Sequence, residues 1–483
     1  MTVSSVRVSW IGLVLVVAAC ATNPATGRRQ LILMSEAQEI QLGRQSDAEI
    51  RQQMGVYNNP ALQQYVERIG LPLARASKRP NLPWTFAIVD ESAVNAFALP
   101  GGFVYLSRGI LPFLRDEAEM AAVLGHEVGH IDARHSAEAY SKQQLAGGTL
   151  ALGGVLWPRG KAVVGAAGIG LGFAFLKFGR DAELESDRLG VGYAAAGGWQ
   201  PAAMQGLLST LARLDEAQGS RRGVPNWALT HPPAADRVMK VQEAVAAAGR
   251  GATTTNRPEY ERAIDGVVFG DSREKGIVRG NDFFHPILRF AVELPDGWEV
   301  TNSDDQVSAE PPGGSHVAFV LQIVEGVSDS IAQASEASMN EAGFRQTSGT
   351  RTSINGLQAF TGMYEGTANG RRVIARAAFI RHGGRPAQFY RLVGLALADQ
   401  YPTFDGVLGR SINSFRPLSQ QEADRIQPNR IGFHPVRAGD TWASIAATVA
   451  DGTVKASTLA IMNGREPETA PRPGERIRIV LGG

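Results

Sequence analysis

The pentapeptide His126-Glu127-Val128-Gly129-His130 constrains this chain more than any other stretch. Histidines four residues apart share one face of an α-helix, so their imidazoles converge on one ion at tetrahedral spacing. Glu127 lies one residue on and cannot reach that ion in the same way, but it can hold a water bound there. A zinc ion lowers the pKa of such a water toward about 7, and Glu127 can take its proton and later pass it to a leaving amine. The flanking residues fit a helix from Asp116 to about Gln144, with Met120, Val123, Leu124, Val128 and Ile131 on a stripe away from both histidines. Gly125, Gly129 and Ala133 let another backbone approach closely.

A tetrahedral catalytic site needs a third protein ligand and one open position. The candidate stretch is Arg180-Asp181-Ala182-Glu183-Leu184-Glu185-Ser186-Asp187-Arg188-Leu189-Gly190, within a predicted helix from Asp181 to Ala196. Glu183 and Asp187 share one face of that helix, so one carboxylate can bind metal while the other orients a ligand histidine.

HExxH followed by ExxxDxxG resembles the zinc metallopeptidases of the HtpX and CAAX prenyl protease family. The resemblance covers roughly residues 31–249 and implies a peptide-bond-cleaving activity with one zinc ion per chain, held by His126, His130 and Glu183. Glu185 is the competing third ligand, and Asp187 is expected on His126 or His130. Asn95-Ala96-Phe97-Ala98-Leu99-Pro100-Gly101-Gly102 resembles the family's stretch ahead of the active-site helix. It implies an edge strand through Asn95, Ala96 and Phe97 that pairs with extended substrate, a mode with little sequence preference. Thr230-His231-Pro232-Pro233 and Arg237 resemble a further family segment. They imply that His231 fills the open metal position at rest or donates to the oxyanion, and that Arg237 stabilises developing charge. His135 is not expected to be a ligand.

The rest of the chain reads as an α+β multidomain protein. Helices are expected from Ser35 to about Met54, with a capping box at Ser35 and Gln38, and from Pro60 to Ala76. Others fit Pro201 to Leu214 and Pro232 to Ala248, with a strand from Trp84 to Val89. Together these make a mainly helical zincin-like domain with a small sheet. Gly147 to Phe178 is Gly/Ala-rich and apolar, but its longest uncharged run, Ala162 to Leu176, is short for a membrane span. It reads as a hairpin near the active site. After the loop signal Gly249 to Asn256, alternating segments such as Leu288–Leu294, Val317–Val324 and Val373–Phe379 appear, with a helix from Ser330 to Ala342. Leu294-Pro295-Asp296-Gly297-Trp298 resembles the opening of small α/β domains of the PsbP/Mog1 type. Val436 to Ala446, Leu459 to Gly464 and Arg472 to Ile479 resemble a βααβ LysM module, which implies peptidoglycan as a partner.

Cys20 is the only cysteine, so no internal disulfide forms. It closes an N-terminal segment with Arg7, an apolar run from Val8 to Ala19, and Val17-Ala18-Ala19-Cys20, which resembles a bacterial lipoprotein signal. That implies acylation of Cys20 and, with Ala21 next, an outer-membrane anchor facing the periplasm. Lys and Arg number 48 against 47 Asp and Glu, so no global field draws the chain to nucleic acid. The expected division is a signal peptide over 1–19, a zinc metallopeptidase domain over 20–280, a small α/β domain over 281–420 and a LysM-like module over 431–483. The expected function is zinc-dependent cleavage of unfolded or misassembled envelope proteins. The alternatives are a non-proteolytic envelope scaffold with a plugged zinc site and, last, a peptidoglycan amidase.

Overall fold

The computed structural model describes residues 20–145, 169–218, 227–232, 237–303, 305–313, 316–324, 330–368, 370–383, 388–450 and 452–483. The signal-peptide expectation over 1–19 and most of the apolar hairpin expected between Gly147 and Phe178 lie outside these residues. No described helix is long and apolar enough to cross a membrane. The chain forms two compact units, one of residues 1–269 and 430–482, the other of residues 270–429 with Gly483.

In the first unit a hairpin of β1 (Cys20–Thr22) and β2 (Arg29–Leu31) precedes helices Glu36–Gln53 and Pro60–Ala76. Ser35 and Gln38 cap the first helix reciprocally, and Asn59 with Pro60 starts the second. A three-stranded sheet follows, in the order β3 (Thr85–Val89), β5 (Phe103–Ser107), β4 (Ala96–Leu99). β4 is an edge, antiparallel to β5.

The HExxH helix, Glu117–Asp132, is buried on every side rather than along one stripe. Such a helix needs its ends fixed by polar contacts, and both are. Asp116 caps the N-terminus by accepting from the Glu119 amide, and the buried Glu117 carboxylate accepts from Tyr65, Trp199 and Asn256. At the other end Asp132 accepts from the Lys78 amide and Tyr193, while buried Arg79 donates to the Ile131 carbonyl and pairs with Glu39.

The single helix expected from Asp116 to Gln144 is instead two, with a second from His135 to Leu145. Arg134 breaks it by adopting a left-handed backbone, φ 59°. That conformation is uncommon for a residue with a Cβ. It is held by the Arg134 guanidinium, which donates to Glu39 and to the Met34 carbonyl.

Helix Arg180–Ala196 packs on the HExxH helix through glycines. A Cβ on Gly190 would lie 2.8 Å from the His126 nitrogen and 2.9 Å from the Gly125 carbonyl carbon, both backbone atoms that cannot turn aside. Gly190→Ala should therefore force the two helices apart and destabilise the unit by about 1–3 kcal/mol, as overpacking does. Thermal unfolding checks it, and an unchanged midpoint would show that the helices separate freely.

Residues 430–482 belong to this unit. β17 (Arg430–Pro435), two short helices (Trp442–Thr448, Ala456–Met462) and β18 (Arg476–Leu481) run in βααβ order, with β17 and β18 antiparallel. Ile431, Ile461, Met462 and Val480 join the same core as Leu111, Met120 and Leu124.

The second unit is built on antiparallel sheets. Its strands are β6 (Ile277–Arg279), β7 (Asp282–His285), β8 (Phe290–Glu293), β9 (Glu299–Asn302), β10 (Gln306–Glu310), β11 (Val317–Val324), β12 (Phe344–Ile354), β13 (Leu357–Ala368), β14 (Arg371–His382), β15 (Gln388–Leu397) and β16 (Arg416–Pro417). Seven form one sheet in the order β12-β13-β14-β15-β11-β10-β9, and four form another, β16-β8-β7-β6. Helix Tyr401–Asn413 covers one face of the larger sheet, burying Phe319, Tyr390, Leu408 and Phe415, and helix Ile331–Glu341 covers the other, where Met339, Tyr364 and Phe379 pack. The paired strands β12 to β15 run 10 to 12 residues each, longer than the short segments expected from alternation.

Candidate metal centre

His126, His130, Glu183 and His231 form the one group among the described residues that could hold a metal ion. All four are buried, and one ligand atom from each lies within 4.8 Å of the others. The first two come from the HExxH helix, Glu183 from the first turn of Arg180–Ala196, and His231 from the end of the short helix Trp227–Thr230. His126 Nε2 and His130 Nε2 are 3.0 Å apart. Glu183 oxygens lie 3.4 Å from His130 Nε2 and 3.6 Å from His126 Nε2. His231 Nδ1 is 3.1 Å from Glu183 and 3.3 Å from His126 Nε2, while its Nε2 faces the Ala96 carbonyl of edge strand β4 at 3.4 Å.

The surroundings settle which nitrogens face inward. Asp187 sits 2.9 Å from His126 Nδ1, and Arg237 grips Asp187 with Nε and Nη2, both at 2.8 Å. Burial works against ionisation of Asp187, but His126 and Arg237 outweigh it and hold the carboxyl below its usual range. An ionised Asp187 accepts the His126 Nδ1 proton, which leaves the Nε2 lone pair facing the cluster. Burial also holds His130 well below the usual imidazole range, so this ring is neutral near pH 7. Burial raises Glu183 in turn, yet His231, His130 and His126 overcome it and keep the carboxylate charged.

Glu127 is fully buried, and neither of its carboxylate oxygens has a hydrogen-bond partner. Burial lifts its proton affinity above the ordinary carboxylate range, against the pull of His231 and His126. Imidazole nitrogens and buried carboxylates converge here on one point, and Glu127, with His231 Nε2 3.6 Å away, is left without a hydrogen bond, a donor set suited to a cation. Nitrogen and oxygen donors in this number fit a zinc-sized ion. Trp227 stacks on His231 at 4.0 Å and Phe178 on His130 at 4.0 Å, walling the cluster with apolar rings.

The structure thus brings together His126, Glu127, His130, Glu183, Asp187, His231 and Arg237. Asn95 reaches the same region by accepting from Thr230, beside His231, and Ala96 and Phe97 lie on β4. Arg237, expected to face developing charge, instead gives Nε and Nη2 to Asp187 and places Nη1 2.9 Å from Glu183. Glu185, the competing ligand, lies off the face shared by Glu183 and Asp187 and meets His135 instead. Cys20 is paired through its backbone with Leu31 in the N-terminal hairpin.

Residues 60–245 match the model of peptidase family M48, so the chain carries an M48 metallopeptidase domain over that segment, in line with its two motifs. The beta-barrel assembly-enhancing protease of Escherichia coli (strain K12) is 27% identical over 297 residues, covering 60% of this chain and 58% of that protein. The mitochondrial metalloendopeptidase OMA1 of Schizosaccharomyces pombe is 33% identical over 187 residues, covering 37% of this chain and 52% of that protein. The chain therefore spans little more than half the length of these relatives. Among solved structures, cyanobacterial PsbP from Synechocystis sp. PCC 6803 aligns with 29% of this chain and 95% of its own, at 12% identity and a TM-score of 0.23.

Proposed function

We propose that this chain is a zinc-dependent endopeptidase that hydrolyses peptide bonds of unfolded or misassembled envelope proteins. The reading rests above all on one observation, the buried convergence of His126, His130 and Glu183 beside the Glu127 carboxylate, which has no hydrogen-bond partner. His126, His130 and Glu183 would hold a zinc ion, which would supply Lewis acidity to the attacking water and the scissile carbonyl. Glu127 takes the water's proton on a carboxylate oxygen and delivers it to the departing amine nitrogen. Asp187 fixes the His126 ring, and Arg237 clamps Asp187 and Glu183 in turn, so Arg237 acts by positioning. An extended substrate adds to the edge of β4 at Asn95, Ala96 and Phe97, which fits a preference for backbone over side chain.

The envelope setting draws on the lipoprotein-like Val17-Ala18-Ala19-Cys20, with acylated Cys20 as an outer-membrane anchor facing the periplasm. It agrees with the similarity to the Escherichia coli beta-barrel assembly-enhancing protease. In this reading residues 20–280 are the peptidase domain, 281–420 a PsbP/Mog1-like α/β domain, and 431–483 a LysM-like module with peptidoglycan as its partner.

Zinc-loaded protein incubated with a chemically unfolded protein should yield fragments detectable by mass spectrometry. Chelation with 1,10-phenanthroline should stop cleavage and added zinc restore it. One observation favours the second reading, a non-proteolytic scaffold: His231 Nδ1 lies among the ligand atoms, where it fills the open position. Under the endopeptidase reading His231→Ala raises turnover. If both proteins bind zinc one to one and neither cuts, the scaffold reading holds.

A further inference from the structure

We infer that His135 and Glu185 act as a relay that holds the His130 ring in its metal-binding tautomer, a positioning role that rests on the metal site proposed above. The two ligand histidines are braced differently. His126 gives its Nδ1 proton directly to a carboxylate, Asp187. His130 has no carboxylate on its outer nitrogen; 3.0 Å from its Nδ1 stands His135 Nδ1. On the far side of the same ring, His135 Nε2 lies 3.1 Å from Glu185, and the other Glu185 oxygen receives Asn23 at 3.4 Å.

Only one arrangement of protons satisfies this chain of contacts while leaving His130 Nε2 free for an ion. His130 carries its proton on Nδ1 and donates to His135 Nδ1; His135 therefore carries its own on Nε2 and donates to Glu185. With the opposite His135 tautomer, two N–H groups would face each other at 3.0 Å, and His130 would have to move its proton to Nε2 and lose its lone pair. Glu185 selects the productive tautomer because it accepts and cannot donate while ionised. Ser186 Oγ, 3.3 Å from His135 Nδ1, helps fix the ring's plane.

The fold delivers this arrangement through the left-handed turn at Arg134. In one uninterrupted helix, positions 130 and 135 would lie about 140° apart and their rings would not meet. The break swings His135 back over the HExxH helix, and Arg134 is itself held by Glu39.

The test measures metal affinity and the geometry around the metal, independently of turnover. His135→Phe keeps a buried ring but removes the acceptor; it should weaken zinc binding about 10- to 100-fold in competition with a chromogenic chelator. It should also shift the visible absorption of the cobalt-substituted protein. His135→Asn places an amide oxygen where Nδ1 stood and should recover most of that affinity and the wild-type spectrum. Glu185→Met, at the more exposed end, guards against misfolding of the buried variant and should weaken zinc binding in the same direction. Equal affinity in wild type, His135→Phe and Glu185→Met would overturn the relay, as would an equal loss in His135→Phe and His135→Asn. If wild type itself takes up neither zinc nor cobalt, the metal site falls, and the relay with it.

Discussion

Glu127→Gln should reduce peptide-bond hydrolysis about 10²- to 10⁴-fold, the usual contribution of a positioned acid–base group, while zinc still binds one to one. The carboxylate is fully buried, sits one residue from a ligand histidine and has no hydrogen-bond partner on either oxygen. Such a group adds little to stability in the unligated protein, because burial without a hydrogen bond offsets its 3.6 Å contact with His231 Nε2. Its raised proton affinity, caused first by burial and moderated by His231 and His126, suits a group that must take a proton near neutral pH and release it again. Glutamine keeps the shape and removes the proton-accepting charge. Thermal unfolding of the metal-free variant should accordingly be no lower than that of wild type, which separates loss of chemistry from loss of fold. The measurement is the cleavage rate of an unfolded protein at saturating zinc. A rate within a few-fold of wild type would remove Glu127 from the mechanism.

Much of this centre is legible in the sequence because helical periodicity does the work. The spacing of His126 and His130, and of Glu183 and Asp187, puts each pair on one helix face, and the glycines at 125 and 190 mark where two helix backbones touch. Other features depend on contacts that no local pattern encodes. Whether Glu183 or Glu185 meets the histidines depends on how one helix is rotated against the other, and only packing decides that. The bend at Arg134 carries no glycine, asparagine or proline, so nothing local marks it. It exists because Glu39, 95 residues away, accepts from the Arg134 side chain. His135 consequently reads as a continuation of the motif helix and no ligand, whereas it is buried against His130. The βααβ order of the last 54 residues follows from pattern, yet their share in the core around Met120 does not, because those contacts span more than 300 positions.

That shared core leads to the second large effect. Arg478→Ala should destabilise the peptidase-bearing unit by about 3–5 kcal/mol, by leaving buried acceptors unpaired and opening a cavity. Arg478 is 2% exposed and meets no carboxylate within ion-pair distance among the described residues. Its Nη1 donates to the carbonyls of Met462 at 2.9 Å and Pro112 at 3.2 Å, and Nη2 donates to the carbonyl of Arg115. Burial lowers its proton affinity, and the Tyr260 ring, 5.7 Å from the guanidinium carbon, partly offsets that. Pro112 and Arg115 lie just ahead of Asp116, the residue that caps the HExxH helix. One side chain thus ties the C-terminal βααβ segment to the start of the helix that carries both histidines. A glycan-binding module hung on a linker would not show such a tie: removing Arg478 would then loosen the module and leave the metal site untouched. Here loss of the clamp should lower the unfolding midpoint of the whole unit and weaken zinc retention in the same transition. Calorimetry with zinc release followed in parallel decides the matter. An unchanged main transition, with a separate small one for the βααβ segment, would show that the segment folds on its own and only rests against the peptidase.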